Sequence, residues 1–171
     1  MIPAPRPQEI LLPVTTGLIV LTIVSALAAN FIPLPVADVQ LRPDFCALVL
    51  LYWGVHQPRR VGFTIAFLLG LLIDLADASL FGQHALAYVA LLFAAIALHR
   101  RILNFNLAAQ SLHVFPLLLG TDLIGIAVRL IAGAELPPIG HLAGAAIGAL
   151  LWIPLCMVLR LPRVPKTSPD L

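Results

Sequence analysis

The sequence predicts an all-α integral membrane protein, folded as a six-transmembrane-helix bundle. Of its 171 residues, 61% are apolar and 11% are charged, against about 45–50% and 25% in water-soluble domains. Ten basic and eight acidic side chains are too few to cover a soluble surface. A β-barrel would alternate apolar and polar residues, whereas residues 85–98 form a continuous apolar run. Helices are therefore the predicted membrane-spanning elements.

Each predicted span coincides with an apolar run of the sequence. The first, 10–32, contains a small-x-small pattern typical of a signal-peptidase site, but it is longer than a usual signal core of about 7–15 residues, so we expect this helix to be retained. The second and third runs reach spanning length only if Asp44 and Asp74 lie in the first or last turn of their helices. All six spans belong to one membrane domain, 1–171, with boundaries at 10–32, 43–56, 61–77, 80–98, 107–131 and 139–161.

Basic residues predict the orientation. Six spans place eight of the ten Lys and Arg residues on one side: Arg6, Arg59, Arg60, Arg100, Arg101, Arg160, Arg163 and Lys166. Short loops rich in Lys and Arg stay in the cytoplasm, so we expect both termini inside, with 162–171 as a cytoplasmic basic tail. Acidic residues gather on the outer side, which suggests a partner or ligand there: Asp38, Asp44, Asp74, Asp77 and Glu135.

Two charges lie within the fifth predicted span. Asp122 and Arg129 are seven residues apart and therefore share a helix face. A charge at mid-bilayer costs roughly 2.5–3.5 kcal/mol on insertion scales, so we expect both to face the bundle. We expect them to form a water-bridged or helix-bridging polar network, or alternatively a proton or solute site.

No residue pattern indicates catalysis, a cofactor or a metal. The five histidines lack metal-ligand spacing, and no phosphate-binding loop or nucleophile elbow occurs. Asp74 and Asp122 lack the Gly-x-Gly-Asp setting of an intramembrane aspartyl protease. Cys46 and Cys156 are expected near opposite membrane faces, too far apart for a disulfide. The sequence therefore predicts a protein that is not an enzyme.

Small residues mark candidate helix-packing faces. Gly140, Gly144 and Gly148 recur every four residues, as do Gly62, Ala66 and Gly70, and this spacing lets helix backbones approach closely. Tyr52 and Trp53, beside a basic cluster, are expected to anchor the second span in the headgroup layer.

Residues 42–101 resemble the core of the rod-shape-determining protein MreD family of bacterial inner-membrane proteins. The resemblance rests on an ordered set of short pieces: Arg42-Pro43-Asp44, Leu51-Tyr52-Trp53, Pro58-Arg59-Arg60, Gly70-Leu71-Leu72-Ile73-Asp74, the segment 79–88, and His99-Arg100-Arg101. Beyond residue 104 the hydropathy is compatible, but the signature is weak. The fifth and sixth spans therefore gain no functional assignment from it.

The resemblance implies a non-enzymatic component of the machinery that builds the lateral cell wall. Its implied partners are MreC and, through MreC, RodA with its penicillin-binding transpeptidase, RodZ and MreB. Membrane lipid is expected to surround the protein, and no nucleic-acid partner is expected. The sequence is compatible with either a monomer or a homo-oligomer. The family is also distantly similar to the substrate-binding subunits of energy-coupling-factor vitamin transporters, a fold-level analogy that transfers no ligand.

The outer hairpin between the third and fourth spans is the leading candidate site. Asp74, Ser79, Gln83 and His84 are expected to cluster there and to organise the contact with MreC or with the synthase. The alternative function is a solute-binding subunit of a vitamin-type transporter. Its pocket would be lined by these residues together with Asp122 and Arg129, near the bundle centre where transport sites commonly lie.

Overall fold

The computed structural model describes residues 14–32, 42–134 and 143–160. These residues form six α-helices and no strand. The helices are α1 (Thr16–Phe31), α2 (Phe45–His56), α3 (Phe63–Ala76), α4 (Gln83–Leu103), α5 (Leu107–Ile131) and α6 (Ala143–Arg160). The all-α prediction is confirmed.

Three of the helices are long and apolar enough to cross a membrane: α4, α5 and α6. The other three are shorter apolar helices of 16, 12 and 14 residues, which correspond to about 24, 18 and 21 Å. These lengths are below the roughly 30 Å of a bilayer hydrocarbon core.

Helix α2 is the centre of the bundle. All residues from Cys46 to Val55 are buried, and α2 packs against α1, α4, α5 and α6. A helix that is apolar on every face is stable only when other helices surround it. Cys46 in α2 and Cys156 in α6 are both free and buried.

The burial of α2 overturns the predicted role of Tyr52 and Trp53. Both side chains are fully buried, so neither reaches the headgroup layer. Trp53 Nε1 donates a 2.9 Å hydrogen bond to Thr22 Oγ1 of α1, and the ring of Tyr52 stacks on His56 with 4.1 Å between centroids. Trp53 thus links α2 to α1, and the Tyr52 ring also lies 5.9 Å, centroid to centroid, from the Trp152 ring of α6.

Hydrogen bonds between helix ends show that neighbouring helices alternate in direction. At one end of the bundle, Arg60 before α3 donates to the carbonyl of Val14 before α1 at 2.8 Å. At the opposite end, Asn30 of α1 donates to Asp44 before α2 at 3.1 Å. Tyr88, near the start of α4, also donates to Asp44. We call these the Arg60 end and the Asp74 end, because the last turn of α3 places Asp74 beside the start of α4.

Glycines permit the closest helix contacts. A Cβ atom at Gly70 would lie 2.4 Å from the Ala85 backbone, and one at Gly148 would lie 2.8 Å from Leu118. A Cβ at Gly54, which the sequence reasoning did not select, would lie 2.7 Å from Leu92. No side chain fits at these positions without moving its neighbour.

The predicted packing role is wrong for Gly62. This residue is the N-cap of α3, is exposed, and a Cβ there would meet no atom within 4 Å. The four-residue spacing runs back to the residue just before α3 begins, where no described helix faces Gly62. Gly140 lies outside the described residues.

Candidate functional site

The Asp74 carboxylate is the most heavily hydrogen-bonded side chain at the Asp74 end. It is 0% exposed and lies in the last turn of α3. Its Oδ1 atom accepts from Ser79 Oγ at 2.9 Å, from the backbone N–H of His84 at 2.9 Å, and from His84 Nδ1 at 2.8 Å. Its Oδ2 atom accepts from the backbone N–H of Gly82 at 2.8 Å. Both oxygens are fully engaged.

These bonds make Asp74 the N-cap group of the next helix. The first N–H groups of any helix lack intrahelical acceptors, and a carboxylate at that position also interacts favourably with the helix dipole. The N-cap residue itself, Gly82, has a φ of 95°, in the left-handed region that favours glycine. Because glycine has no side chain to cap the helix, Asp74 supplies the carboxylate from α3.

The turn between α3 and α4 is tightly closed. Ala78 has a φ of 48°, and the Ser79 N–H donates to the Asp74 carbonyl at 3.0 Å, which is the pattern that ends many helices. The tip of the turn points outward: Asp77 is exposed and Phe81 is 74% exposed. A buried carboxylate thus holds an exposed tip in one conformation.

A second carboxylate, Asp44, lies at the start of α2. It accepts from the Ala47 N–H at 2.9 Å as the N-cap of α2, from Asn30 Nδ2 at 3.1 Å, and from the Tyr88 hydroxyl at 2.6 Å. In return, Asn30 Oδ1 accepts from the Phe45 N–H at 2.9 Å. Asp44 therefore ties α1, α2 and α4 together.

Arg42 closes the end of α1. Its guanidinium donates to the carbonyls of Asn30 and Ile32, the latter at 3.1 Å, where the last carbonyls of a helix need donors. A Cβ at Gly144, near the start of α6, would lie 2.7 Å from the Arg42 carbonyl oxygen. The glycine thus allows α6 to approach this connection.

The Asp74 and Asp44 clusters are in contact. The His84 and Tyr88 rings lie edge to face, with centroids 6.0 Å apart, and each ring binds one of the two carboxylates. We call the combined set the polar network; its members are Asn30, Arg42, Asp44, Asp74, Ser79, His84 and Tyr88. It joins four helices at the Asp74 end.

Gln83 lies beside the polar network without joining it. Its side chain is 6% exposed, and its Nε2 atom is 3.5 Å from the position of a Cβ at Gly125 in α5. Within the described ranges its Oε1 atom is buried without a hydrogen-bond partner.

Asp122 and Arg129, which the sequence predicts to share a polar network, make no direct contact with each other in the part of the chain that the structure describes, and the network stays a prediction. Both side chains are half-buried, but neither forms an ion pair within 4.0 Å or a side-chain hydrogen bond with another described residue. Seven residues of α-helix separate their Cα atoms by about 10 Å. A direct contact between them would need both side chains to turn along the helix.

The chemistry of the polar network is structural. Ser79, His84 and Asp74 are the residue types of a hydrolytic triad, but the Ser79 hydroxyl donates to the carboxylate, and His84 Nδ1 faces both groups. In a triad the serine hydroxyl instead lies against the imidazole nitrogen opposite the one that binds the carboxylate. Among residues 14–32, 42–134 and 143–160, no group of three potential ligands is placed to hold a metal ion.

Several contributors escaped the sequence reasoning. Asn30 and Tyr88, which no sequence pattern singles out as site residues, both donate to Asp44. Gln110 is buried and accepts from Trp152 Nε1 at 3.2 Å, linking α5 to α6. A buried amide inside an apolar run is a signal of such a link, and it was available at position 110.

The comparisons with known proteins agree with the sequence resemblance. The family described as rod shape-determining protein MreD matches residues 10–161. The Rod shape-determining protein MreD of Haemophilus influenzae is 36% identical over 91 residues, which cover 53% of this chain and 56% of the relative. The chain thus spans little more than half the length of that relative, and no solved structure matches. Because the family match covers nearly the whole sequence, this chain belongs to the MreD family.

Proposed function

We propose that this chain is a non-enzymatic, multi-pass component of the bacterial inner membrane that maintains rod cell shape by organising lateral peptidoglycan synthesis with MreC. RodA with its transpeptidase, RodZ and MreB are proposed to connect through MreC. The family membership supports the cell-shape role. The rest of the proposal rests on the geometry of the Asp74 end.

The fixed α3–α4 turn is the observation that carries the proposal. A partner binds a preorganised surface without first having to order it. Here Asp74 holds both ends of the turn through Ser79 and Gly82, while Phe81 projects with 74% of its surface exposed. Exposed aromatic residues on rigid supports are common binding anchors.

We also propose six spans, with both termini in the cytoplasm and the Asp74 end in the periplasm. The alternating helix directions support this layout. So does the charge at the Arg60 end, where the exposed basic residues are Arg59, Arg60, Arg100 and Arg101, because short basic loops stay in the cytoplasm. The three short helices would span by drawing on flanking residues and on local thinning of the bilayer.

Variants of the turn test the contact with MreC. We expect Phe81→Ala to reduce copurification of MreC and to leave cells rounded, with the bundle still folded, because the change removes only surface area. Asp74→Ala should have the same effect because it releases the turn from its carboxylate. Gln83→Ala should have it because the start of α4 repacks against α5. The matched control is Phe93→Ala, which removes a 65% exposed ring from the side of α4, away from the tip.

The proposal fails if all three turn variants, expressed at normal levels, still recover MreC and restore rod shape. Depletion separates it from the transporter alternative. Rounded cells without a nutrient requirement support the cell-shape role, while normal rods with a vitamin auxotrophy would overturn it. The distant similarity to energy-coupling-factor subunits stays a prediction, which an experimental structure would test.

Reporter fusions test the orientation separately. Fusions near Pro58, Asn104 and the C-terminal tail should be active only as cytoplasmic reporters. Those near Asp38, Asp77 and Glu135 should be active only as periplasmic ones. A tail fusion active only in the periplasm would overturn the six-span layout.

A further inference from the structure

Two arginine side chains are held at the two ends of α1. At the Arg60 end, the Arg60 guanidinium donates to the Val14 carbonyl at 2.8 Å. At the Asp74 end, the Arg42 guanidinium donates to the Asn30 carbonyl. An arginine near a helix end usually extends toward water. Because these two are bound to backbone carbonyls, their charges stay beside the ends of the helix.

The two charges are closer together than a bilayer core is thick. Val14 and Asn30 are sixteen positions apart, which corresponds to about 24 Å along a helix. A hydrocarbon core of roughly 30 Å would therefore bury at least one of the guanidinium groups. A charge held in hydrocarbon is costly, and headgroups and water that move inward to meet it remove that cost.

Helix α3 sets a similar limit. It has 14 residues, about 21 Å, and exposed charges flank it, Arg60 before its start and Asp77 at its C-cap. Between these charges the helix exposes about half of each of three apolar side chains: Phe67, Leu68 and Leu72. The outward apolar surface of α3 is therefore as short as that of α1.

Helix α5 offers a taller apolar surface. It has 25 residues, about 37 Å, and is long and apolar enough to cross a full bilayer. Its outward side chains include Leu112, 72% exposed, and Leu123, 51% exposed. Helix α1 packs mainly against α2 and α3 mainly against α4, whereas α5 packs between α4 and α6. The bundle thus has a short apolar surface at α1 and α3 and a full-length one at α5.

We propose that α1 and α3 hold the adjoining bilayer at a hydrocarbon thickness of about 24 Å and bind phospholipids with short acyl chains, while α5 accepts chains of ordinary length. A mismatch of a few Å between a protein and its bilayer is enough to sort lipids and proteins. The inference rests on the proposed six-span layout, in which α1 and α3 cross the membrane. It is independent of MreC.

Brominated lipids test the proposal with the full-length protein in vesicles. Bromine on an acyl chain quenches a tryptophan that it contacts, and the two native tryptophans, Trp53 and Trp152, are fully buried and give a constant background. A third tryptophan is placed on α1 by Val24→Trp, on α3 by Leu68→Trp or, as the matched control, on α5 by Leu123→Trp. All three native side chains are more than half exposed. The vesicles mix phosphatidylcholines with chains of about 14 and about 22 carbons, and either one carries the bromine.

The expected result is a preference that depends on the helix. At Val24→Trp and Leu68→Trp, quenching should report roughly threefold tighter binding of the short-chain lipid, the size expected for a mismatch of several Å. At Leu123→Trp the short-chain lipid should have no advantage.

Arginine variants assign the preference to the charges at the ends of α1. Added to Val24→Trp, Arg60→Leu removes one charge and should reduce the preference. Arg59→Leu removes a neighbouring exposed charge, leaves the Val14 contact intact and should not reduce it. If Arg60→Leu does not fold, Arg42→Leu tests the opposite end of α1 in the same way.

Two results would overturn the inference. One is the same lipid preference at all three tryptophan positions. The other is an α1 tryptophan that neither brominated lipid quenches, which would show that a second copy of the protein covers this face. Failure of the underlying layout gives a different result, because reporter fusions near Pro58 and Asp77 would then lie on the same side of the membrane.

Discussion

The hydroxyl of Tyr88 donates a 2.6 Å hydrogen bond to Oδ2 of Asp44, 44 positions away in the sequence. This bond joins the N-cap of α2 to the second turn of α4, and the His84 ring, which packs against the Tyr88 ring, binds Asp74. Tyr88 thus connects the two carboxylates: its hydroxyl binds Asp44, and its ring contacts the His84 ring that binds Asp74.

Removing this hydroxyl should destabilise the bundle without disturbing its packing. Tyr88→Phe keeps the ring but deletes a hydrogen bond to a carboxylate, a loss of about 1.5–3 kcal/mol. We expect a lower midpoint of thermal unfolding in detergent. As a control, Phe93→Leu changes an exposed side chain of the same helix and should leave the midpoint almost unchanged. Equal midpoints for Tyr88→Phe and the unaltered protein would contradict the role given to this bond.

Asp74→Ala should be among the most damaging single changes at the Asp74 end. It leaves the N–H groups of Gly82 and His84 without their acceptor, and capping losses alone cost about 0.5–2 kcal/mol. With the other broken bonds, we expect a total near 3 kcal/mol. Hydrogen exchange should show faster exchange at the start of α4 and little change at its other end. Uniform protection along α4 in the variant would refute the capping role.

Gly70 and Gly62 stand eight positions apart and should lose very different amounts of stability on the same substitution. A methyl group at Gly70 would overlap the Ala85 backbone and force α3 away from α4, at a cost of about 3 kcal/mol or more. At Gly62 the methyl group points into open space, and the cost should stay below about 0.7 kcal/mol. Urea or thermal unfolding of Gly70→Ala and Gly62→Ala measures both. Similar losses at the two sites would show that the helix contact is not the cause.

Ala78→Gly is predicted to stabilise the protein. Ala78 holds a left-handed φ of 48°, which costs an L-residue about 1 kcal/mol, and glycine is the usual residue at this position after a helix. The unfolding midpoint should therefore rise. Ala97→Gly, in the exposed middle of α4, is the opposite control and should lose about 0.5–1 kcal/mol. A lower midpoint for Ala78→Gly would mean that the turn depends on the alanine methyl group.

Local signals predicted some helices closely and others less so. The bounds of α5 equal the predicted 107–131 because Asn106 caps its start and Gly133 follows its end. For α4, the predicted 80–98 became 83–103. Its start is set by Asp74 from another helix, and its last turn includes the basic residues Arg100 and Arg101, which suit a helix C-terminus.

The candidate site was predictable as residue types at one end of the bundle, but not as a network. Asp74, Ser79 and His84 lie in one hairpin, so their meeting follows from local sequence. Asp44 and Tyr88 meet only because α2 and α4 are adjacent, which hydropathy does not specify. Glycine spacing likewise predicts a surface that permits close packing, but whether a helix faces it depends on the tertiary arrangement.

The position of α2 also constrains how the protein is made. A twelve-residue helix is too short to remain stably across a bilayer by itself, and the α4, α5 and α6 helices that surround it are synthesised later. Until α4 emerges from the ribosome and enters the translocon, α1 is the only one of the four helices that pack against α2 to have been made. If α2 spans the membrane as proposed, we therefore expect the nascent N-terminal half to stay near the insertion machinery until the C-terminal half arrives to enclose it.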